Sequence, residues 1–302
     1  MIRRALLVSI AIVLLTAACS KLPDDDGDWD RDYGPAAASG LIVIPAGTFW
    51  MGADSDPEWD LFSPGVDEGF SDEHPVHQVD LRAYAIERTE VSNAQYRACV
   101  DAGACDDPHD GASRTHADYY LNPSFGAYPV VHVSWHQAAT YCAWLGRRLP
   151  TEAEWEKAAR GPGVRRYPWG DEPPDCLRAN LRLATAGYDA GGKVIVDDEG
   201  CVGDTQPVAD YDYGASPYSV QNLSGNVFEW VADYYAADYY DDAIWPGNST
   251  DPVGPQTGIR RVIRGGSFMT VATLGRTAYR NALLPESFTS DLGFRCAADV
   301  TD

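Results

Sequence analysis

The stretch RLPTEAEWEKAARG (residues 148–161) has the pattern of a short helix whose two ends are both marked in the sequence. Thr151 is followed three residues later by Glu154, the spacing of a capping box in which two side chains satisfy the first free amides of a helix. Trp155 and two alanines share one face, and Gly161 stands where helices commonly end. We therefore predict a helix that begins after Thr151, ends before Gly161 and packs Trp155 into a core.

Two more capping boxes predict two more helices. Ser92 has a glutamine three residues later, and we expect the helix that it begins to end near Gly103. Ser134 also has a glutamine at this spacing, and its helix should stop at Gly146.

The rest of the chain is rich in turn residues and lacks helical periodicity. Its strands are short, as at residues 260–264. The folded part begins near LIVIPAGTFWMG (residues 41–52), a β-branched strand followed by turn residues. We predict one α+β domain that is heavy in loops and stapled by disulfides.

Composition excludes one class of partner. The chain has 302 residues and a formal net charge of −22. A surface this acidic repels phosphate backbones, so we expect no nucleic-acid binding. The same carboxylates are the ligands that hard cations such as calcium prefer.

The amino-terminal residues predict export and a lipid anchor. In MIRRALLVSIAIVLLTAACS (residues 1–20), two arginines precede an apolar run too short to span a bilayer. Small residues then lead to Cys19, as in a bacterial lipoprotein box, although Thr16 stands where leucine is usual. We predict a lipoprotein signal peptide at 1–18, an acidic flexible tether at 19–40 and a folded domain at 41–302. The alternative is ordinary cleavage that leaves a soluble periplasmic protein.

Cysteine usage also points to an oxidising compartment, since six cysteines remain after Cys19 and no C-x-x-C occurs. We expect two local disulfides and one long-range disulfide, with other pairings still open: Cys99–Cys105, Cys176–Cys201 and Cys142–Cys296.

Seven stretches, in order, resemble the formylglycine-generating enzyme family, also called the sulfatase-modifying-factor domain. They are IPAGTFWMG, HPVHQVDLRAYAIERTEVSNAQY, PVVHVSWHQAATYCAWLGRRLPTEAEWEKAARG, YPWG, NLSGNVFEWV, RVIRGGSF and GFRCA. The resemblance covers about residues 41–297. It implies a fold related to C-type lectins, with small twisted sheets, few helices and structural calcium. It also supports the Cys142–Cys296 pairing.

The resemblance places this chain among divergent members of that family. Family enzymes bind copper(I) through two cysteines and oxidise a substrate cysteine to formylglycine, and soft thiolates suit copper(I). Those cysteines fall on Thr270 and Gly275, so we do not expect copper and assign no catalytic residue. Ser267 is retained, and we interpret it as a turn-capping hydroxyl. A further family disulfide is lost at both ends, which fall on Ala159 and Arg280.

Two calcium sites are implied by the resemblance. The ligands of the first fall on Asn222, Gly225, Val227 and Glu229, which together would form a shell of hard oxygen donors. The alternative is a tight turn in which Glu229 pairs with an arginine. The ligands of the second fall on Asn180, Leu181, Glu199 and Cys201.

These features favour an envelope lipoprotein without formylglycine-generating activity. It would be held to the membrane by its lipid, facing the periplasm or the outside. There it would bind or scaffold a protein, peptide or glycan partner. The alternative is a copper- and oxygen-dependent oxidase of the sulfatase-maturation type, or a related maturation oxidase.

Overall fold

The computed structural model describes residues 40–54, 71–183, 185–188, 194–197, 200–241 and 249–300. The predicted signal peptide, Cys19, the tether up to residue 39 and Glu199 lie outside these ranges.

All three predicted helices form, and each begins with the predicted capping box: α1 (Asn93–Asp101), α2 (Trp135–Trp144) and α3 (Glu152–Arg160). At the start of α3, the Thr151 hydroxyl accepts from the Glu154 amide at 3.1 Å, and the Glu154 carboxylate accepts from the Thr151 amide at 2.8 Å. Gly161 ends α3 with a φ of 73°, a conformation that glycine adopts without strain.

Burial of α3 exceeds what one apolar face predicts, because all nine of its residues are buried. Trp155 lies in the core as expected, but Glu156 and Arg160 are inside as well and form an ion pair at 2.9 Å. Glu156 also pairs with the fully buried Arg264. Long-range partners supplied by distant segments therefore make the polar side of α3 compatible with burial.

The strands are short and belong to four small sheets. In chain order they are β1 (Leu41–Ile44), β2 (Gly47–Met51), β3 (His77–Leu81), β4 (Tyr84–Glu87), β5 (Thr185–Tyr188), β6 (Val194–Asp197), β7 (Phe228–Tyr234), β8 (Ser249–Thr250), β9 (Arg261–Arg264), β10 (Asn281–Leu283), β11 (Leu292–Phe294) and β12 (Ala297–Asp299). The sheet orders are β1-β4-β12, β10-β9-β7-β11, β2-β3-β8 and β5-β6. Pairing is antiparallel except for β3 with β8 and β7 with β11.

One predicted turn is a strand. Residues after β1 were expected to turn, whereas Gly47–Met51 forms β2 and pairs with β3. Phe49 and Met51 alternate inward and are buried. This alternation of buried and exposed residues is too short to distinguish a strand from a turn in the sequence alone. Pairing with the distant β3 makes the segment a strand.

The α+β class and the low content of regular structure are confirmed among the residues that the structure describes. All three expected disulfides form, with Cα atoms 5.4, 5.6 and 5.3 Å apart in Cys99–Cys105, Cys142–Cys296 and Cys176–Cys201. A disulfide-bonded domain is consistent with a location outside the cytoplasm. In the described ranges, no helix is both long and apolar enough to cross a membrane.

Candidate functional site

A paired-glycine turn follows β9 and brings together the two positions that the resemblance assigns to copper ligands. Gly265 and Gly266 have φ angles of 92° and 72°, which side chains rarely adopt. A Cβ on Gly266 would lie 2.8 Å from Thr270 Oγ1 and 3.4 Å from the Cα of Gly275. Thr270 and Gly275 therefore lie side by side against the turn.

The hydroxyl groups of this turn bond within the turn and to one neighbour. Thr270 Oγ1 accepts from the Ser267 amide and donates to the Ser267 carbonyl, both at 2.8 Å. Ser267 Oγ donates to the Asp291 carboxylate at 2.7 Å and accepts from the Met269 amide at 3.2 Å. Ser267 is fully buried. Its hydroxyl closes and anchors the turn.

The space beside Gly275 is filled by neighbouring side chains. Gly275 ends a one-turn 3₁₀ helix, Ala272–Gly275, and is buried. A Cβ on it would lie 2.8 Å from Ser224 Oγ and 2.9 Å from Leu181 Cδ1, closer than real Cβ contacts. The Ser224 hydroxyl donates to the Gly275 carbonyl at 2.7 Å. A side chain at position 275 would therefore require Ser224 and Leu181 to move.

Of the four residues predicted for the first calcium site, Glu229 has the best-defined partners. Its carboxylate receives two bonds from Arg295, both at 2.7 Å, and one from Trp155 Nε1 at 2.9 Å. Glu229 and Arg295 are both fully buried. The arginine pairing named as the alternative thus forms. This pairing leaves part of the carboxylate available. Among the described residues, Oε1 accepts only from Arg295, so its other lone pair can bind a cation.

Sequence reasoning missed Glu90, which the fold brings to the same place. Asn222 Nδ2 donates to Glu90 Oε2 at 2.7 Å, and Asn226 Nδ2 donates to Glu90 Oε1 at 2.9 Å. The pKa of Glu90 is raised to about 7. Burial is the main cause, the Arg295 charge opposes it, and the Glu229 charge adds to it. Nothing local in the sequence marks Glu90, which stands just before the cap of α1 and more than 130 residues from the asparagines.

The donors here fit a hard cation. Glu90 and Glu229 are two buried carboxyl groups beside the Arg295 guanidinium, so ionising both of them would leave an excess of one negative charge. A divalent cation would offset this excess, and oxygen donors are the ligands that calcium prefers. Asn222 and Gly225 bend the chain around the group, with φ angles of 56° and 84°.

The second predicted site is brought together in part. The Leu181 carbonyl accepts from the Cys201 amide at 3.0 Å, so the two predicted segments meet. The Asn180 amide nitrogen donates to the Asp204 carbonyl at 2.8 Å, which fixes the orientation of the amide. Asn180 Oδ1 is buried and accepts no hydrogen bond from any described residue. This oxygen fits a cation ligand, while Glu199 lies outside the described residues.

The two predicted calcium sites adjoin each other. The backbone amide of Asn226 donates to the backbone carbonyl of Asn180 at 2.9 Å. Asn180 Nδ2 donates to Asn226 Oδ1 at 3.3 Å. Within the described ranges, no three His, Cys, Asp or Glu side chains cluster as metal ligands. Amide and carbonyl oxygens must therefore supply much of either shell.

One of the two positions assigned to a lost family disulfide, Arg280, forms a buried ion pair. Ala159 is buried in α3, and Arg280 donates to both carboxylate oxygens of Glu152, at the start of α3, at 2.8 and 3.0 Å. The guanidinium also lies 4.2 Å from the centre of the Tyr240 ring. Arg280 thus ties its segment to α3 without a covalent bond.

Comparisons with known proteins agree with this fold and site. The chain matches the sulfatase-modifying factor enzyme 1-like domain over residues 31–300. It is 37% identical to the formylglycine-generating enzyme of Thermomonospora curvata, over 92% of this chain and 99% of that protein. It is 31% identical to the hercynine oxygenase of Mycolicibacterium smegmatis, over 88% of this chain and 63% of that protein.

Among solved structures, PvdO from Pseudomonas aeruginosa superimposes with a TM-score of 0.63 and 25% identity, over 86% of this chain and 94% of that chain. The overall fold of this domain is thus shared with a solved structure. The chain belongs to the sulfatase-modifying factor, or formylglycine-generating enzyme, family.

Proposed function

We propose that this protein is a binding or scaffolding member of its family that does not generate formylglycine. The observation that carries the proposal is the state of the two positions assigned to copper ligands. Thr270 bonds back to Ser267 through its hydroxyl, and the side chains of Ser224 and Leu181 occupy the space next to Gly275. Neither position therefore carries a thiolate, and neighbouring side chains fill the adjacent space.

The chemistry of copper(I) also argues against Thr270 as a substitute for a cysteine ligand. Copper(I) is a soft ion that thiolate and thioether sulfur bind well, and a neutral hydroxyl is a poor substitute. The Thr270 hydroxyl uses its single proton on the Ser267 carbonyl, and one lone pair accepts from the Ser267 amide. The lone pair that remains belongs to a neutral, hard oxygen, which is a weak ligand for copper(I).

Titration of copper(I) into the domain at 41–302 against a chromophoric competing chelator tests the proposal. The expected result is no stoichiometric binding tighter than that of a Thr270→Val variant. A formylglycine-generating relative measured in parallel is the positive control. Stoichiometric, high-affinity copper binding by this domain would overturn the proposal.

Calcium is the cofactor that we propose for the folded domain. At the first site, Glu90, Glu229 Oε1 and the Asn222 side chain would hold it, together with the Gly225 and Val227 carbonyls. The Asn222 amide would turn its oxygen toward the ion. Calcium would crosslink these segments and offset the excess negative charge among buried groups.

The second site would use the Asn180 side-chain oxygen and the Leu181 carbonyl, with the segment that contains Glu199 and Cys201 completing the shell. The support is the buried, unpartnered Asn180 Oδ1 and the contact between Leu181 and Cys201.

A location at the cell envelope is proposed, with anchoring through lipid on Cys19. Three disulfides support an oxidising compartment, and the signal-like residues 1–18 precede the cysteine. In membrane fractionation, Cys19→Ser should move the protein from the membrane to the soluble fraction. Wild-type protein found already in the soluble fraction would favour ordinary signal cleavage.

A second candidate is an oxidase of the sulfatase-maturation type, or a related maturation oxidase. It is favoured by the 37% identity with a formylglycine-generating enzyme across almost the whole chain. It would require a ligand set other than Thr270 and Gly275. Oxygen consumption with a thiol peptide, abolished by a copper chelator, would support this candidate against the first.

A further inference from the structure

A groove separate from the glycine-paired turn lies along α2. One wall is a face of that helix, where Trp135, Ala139 and Ala143 recur every four residues. The other wall begins at the last residue of β3 and continues after β8 with Asp251 and Val253. We call this the α2 groove. Its volume is about 480 Å³, within the range of small-molecule sites.

The floor of the α2 groove is apolar and fixed in position. Trp135 Nε1 donates to the Val231 carbonyl at 2.8 Å, and the Arg261 guanidinium lies 3.9 Å from the centre of one of its rings. Ala139 and Ala143 leave open the space that larger side chains would fill. The groove therefore offers a rigid indole and a smooth aliphatic surface.

The rim of the α2 groove carries charges in fixed pairs. Asp251 accepts from both the Arg82 amide and Arg82 Nε, at 2.8 and 2.7 Å. Arg148 donates to both oxygens of Glu154, at 2.6 and 2.7 Å, and to Asp299 at 2.7 Å. Three arginines and three acids line the groove, which is thus balanced in a chain of net charge −22.

This balance decides which ligand the groove can favour. A charged ligand gains no net attraction from a lining that sums to zero, and the acidic remainder of the chain repels anions. A peptide backbone usually pairs with an open strand edge, yet here Leu81 and Asp299 are the last residues of β3 and β12, and Asp251 follows β8, so the lining meets strand ends. Side chains, not strand edges, supply the polar groups here.

We propose that the α2 groove binds a neutral glycan. A pyranose ring has an apolar C–H face that can pack on Trp135 and the alanines. Its hydroxyls both donate and accept hydrogen bonds, which matches alternating guanidinium donors and carboxylate acceptors. This inference rests on the proposed binding function and names the ligand class for it.

The test compares wild type with Ala143→Leu, which fills the groove from an exposed helix position that tolerates leucine. Ala98→Leu is the matched control, because Ala98 is an exposed alanine in α1 outside the groove lining. A panel of neutral oligosaccharides, uronic-acid or sulfated oligosaccharides, and peptides is measured by calorimetry. Thermal melting verifies that each variant folds.

We expect neutral oligosaccharides to bind wild type and Ala98→Leu equally, and Ala143→Leu to weaken binding at least tenfold with its melting temperature retained. Arg82→Gln, at a side chain that is 84% exposed, should weaken binding without unfolding the domain. Preference for charged glycans or for peptides, no binding across the panel, or equal binding by Ala143→Leu would each overturn the inference. These readouts need no copper and no thiol peptide, so oxidase activity would contradict the proposed function independently.

Discussion

Three hydrogen bonds join Thr270 and Ser267: the Thr270 hydroxyl accepts from the Ser267 amide and donates to the Ser267 carbonyl, both at 2.8 Å, and the Thr270 amide donates to the same carbonyl at 2.9 Å. This reciprocal contact closes the turn with the side chain that stands where the family resemblance assigns a copper ligand. Beside it, Ser224 and Leu181 fill the volume next to Gly275. Hydrogen bonds and packing among protein groups thus hold the turn in place.

Gly275→Ala should lower the free energy of unfolding by about 1–3 kcal/mol, the usual cost of overpacking. The added methyl would lie 2.8 Å from Ser224 Oγ and 2.9 Å from Leu181 Cδ1. Denaturant unfolding measures the change. Gly163→Ala is the control, since a Cβ there meets nothing within 4 Å. Equal stability of both variants would mean that the space beside Gly275 is open.

Features that depend on residues close together in the sequence could be predicted, and features that depend on distant residues could not. Helix α3 was predictable because Thr151 and Glu154 are three residues apart and their capping box is local. The burial of its charged side was not, because the partner Arg264 comes from a strand more than 100 residues away.

The candidate site follows the same rule. Asn222 and Glu229 belong to one continuous motif and could be singled out together. Glu90 could not, since it meets Asn222 only through the fold. Thr270 and Gly275, the positions that the resemblance assigns to copper ligands, could be identified in the sequence, but the packing of Ser224 against Gly275 required the structure.

Calcium should stabilise the domain through Glu90 and Glu229. With calcium at about 100 times its dissociation constant, a chelator should lower the unfolding free energy by about 3 kcal/mol. Glu90→Gln and Glu229→Gln should remove most of this difference, measured as the shift in melting temperature between calcium and chelator.

Glu73→Gln provides a matched control for the calcium experiment. Glu73 is also a buried carboxylate, bonded to Arg276 at 2.6 and 2.8 Å, but it lies outside both predicted sites. Its substitution should lower the melting temperature equally with and without calcium. Identical melting of wild type in calcium and chelator would contradict both predicted sites.

Acidification should destabilise the protein through His77. Burial lowers the pKa of His77, opposed by its bond to the Pro75 carbonyl and the charge of Glu156, while the Arg280 charge lowers it as well. The unfolded chain therefore takes up a proton near its ordinary pKa of about 6.5 while the folded protein does not. Stability from neutral His77 is present above pH 6.5 and is lost as pH falls below it.

The slope of unfolding free energy from this one proton cannot exceed about 1.4 kcal/mol per pH unit. Buried acids with raised pKa, such as Glu73 and Glu87, act in the opposite direction, so the difference between variants is the useful quantity. His77→Gln should flatten the wild-type dependence between pH 6.5 and 5, and His136→Gln, at an exposed histidine, should leave it unchanged. Parallel curves for wild type and His77→Gln would refute this assignment.

The most direct test of the central claim is mass spectrometry of a C-x-P-x-R peptide after incubation with the domain, copper(I) and oxygen. A formylglycine-generating relative is run beside it and should convert the peptide cysteine to an aldehyde. For this protein we predict that the peptide keeps its thiol mass, apart from peptide disulfide that forms equally in the absence of protein. Appearance of formylglycine that depends on this domain would contradict the account.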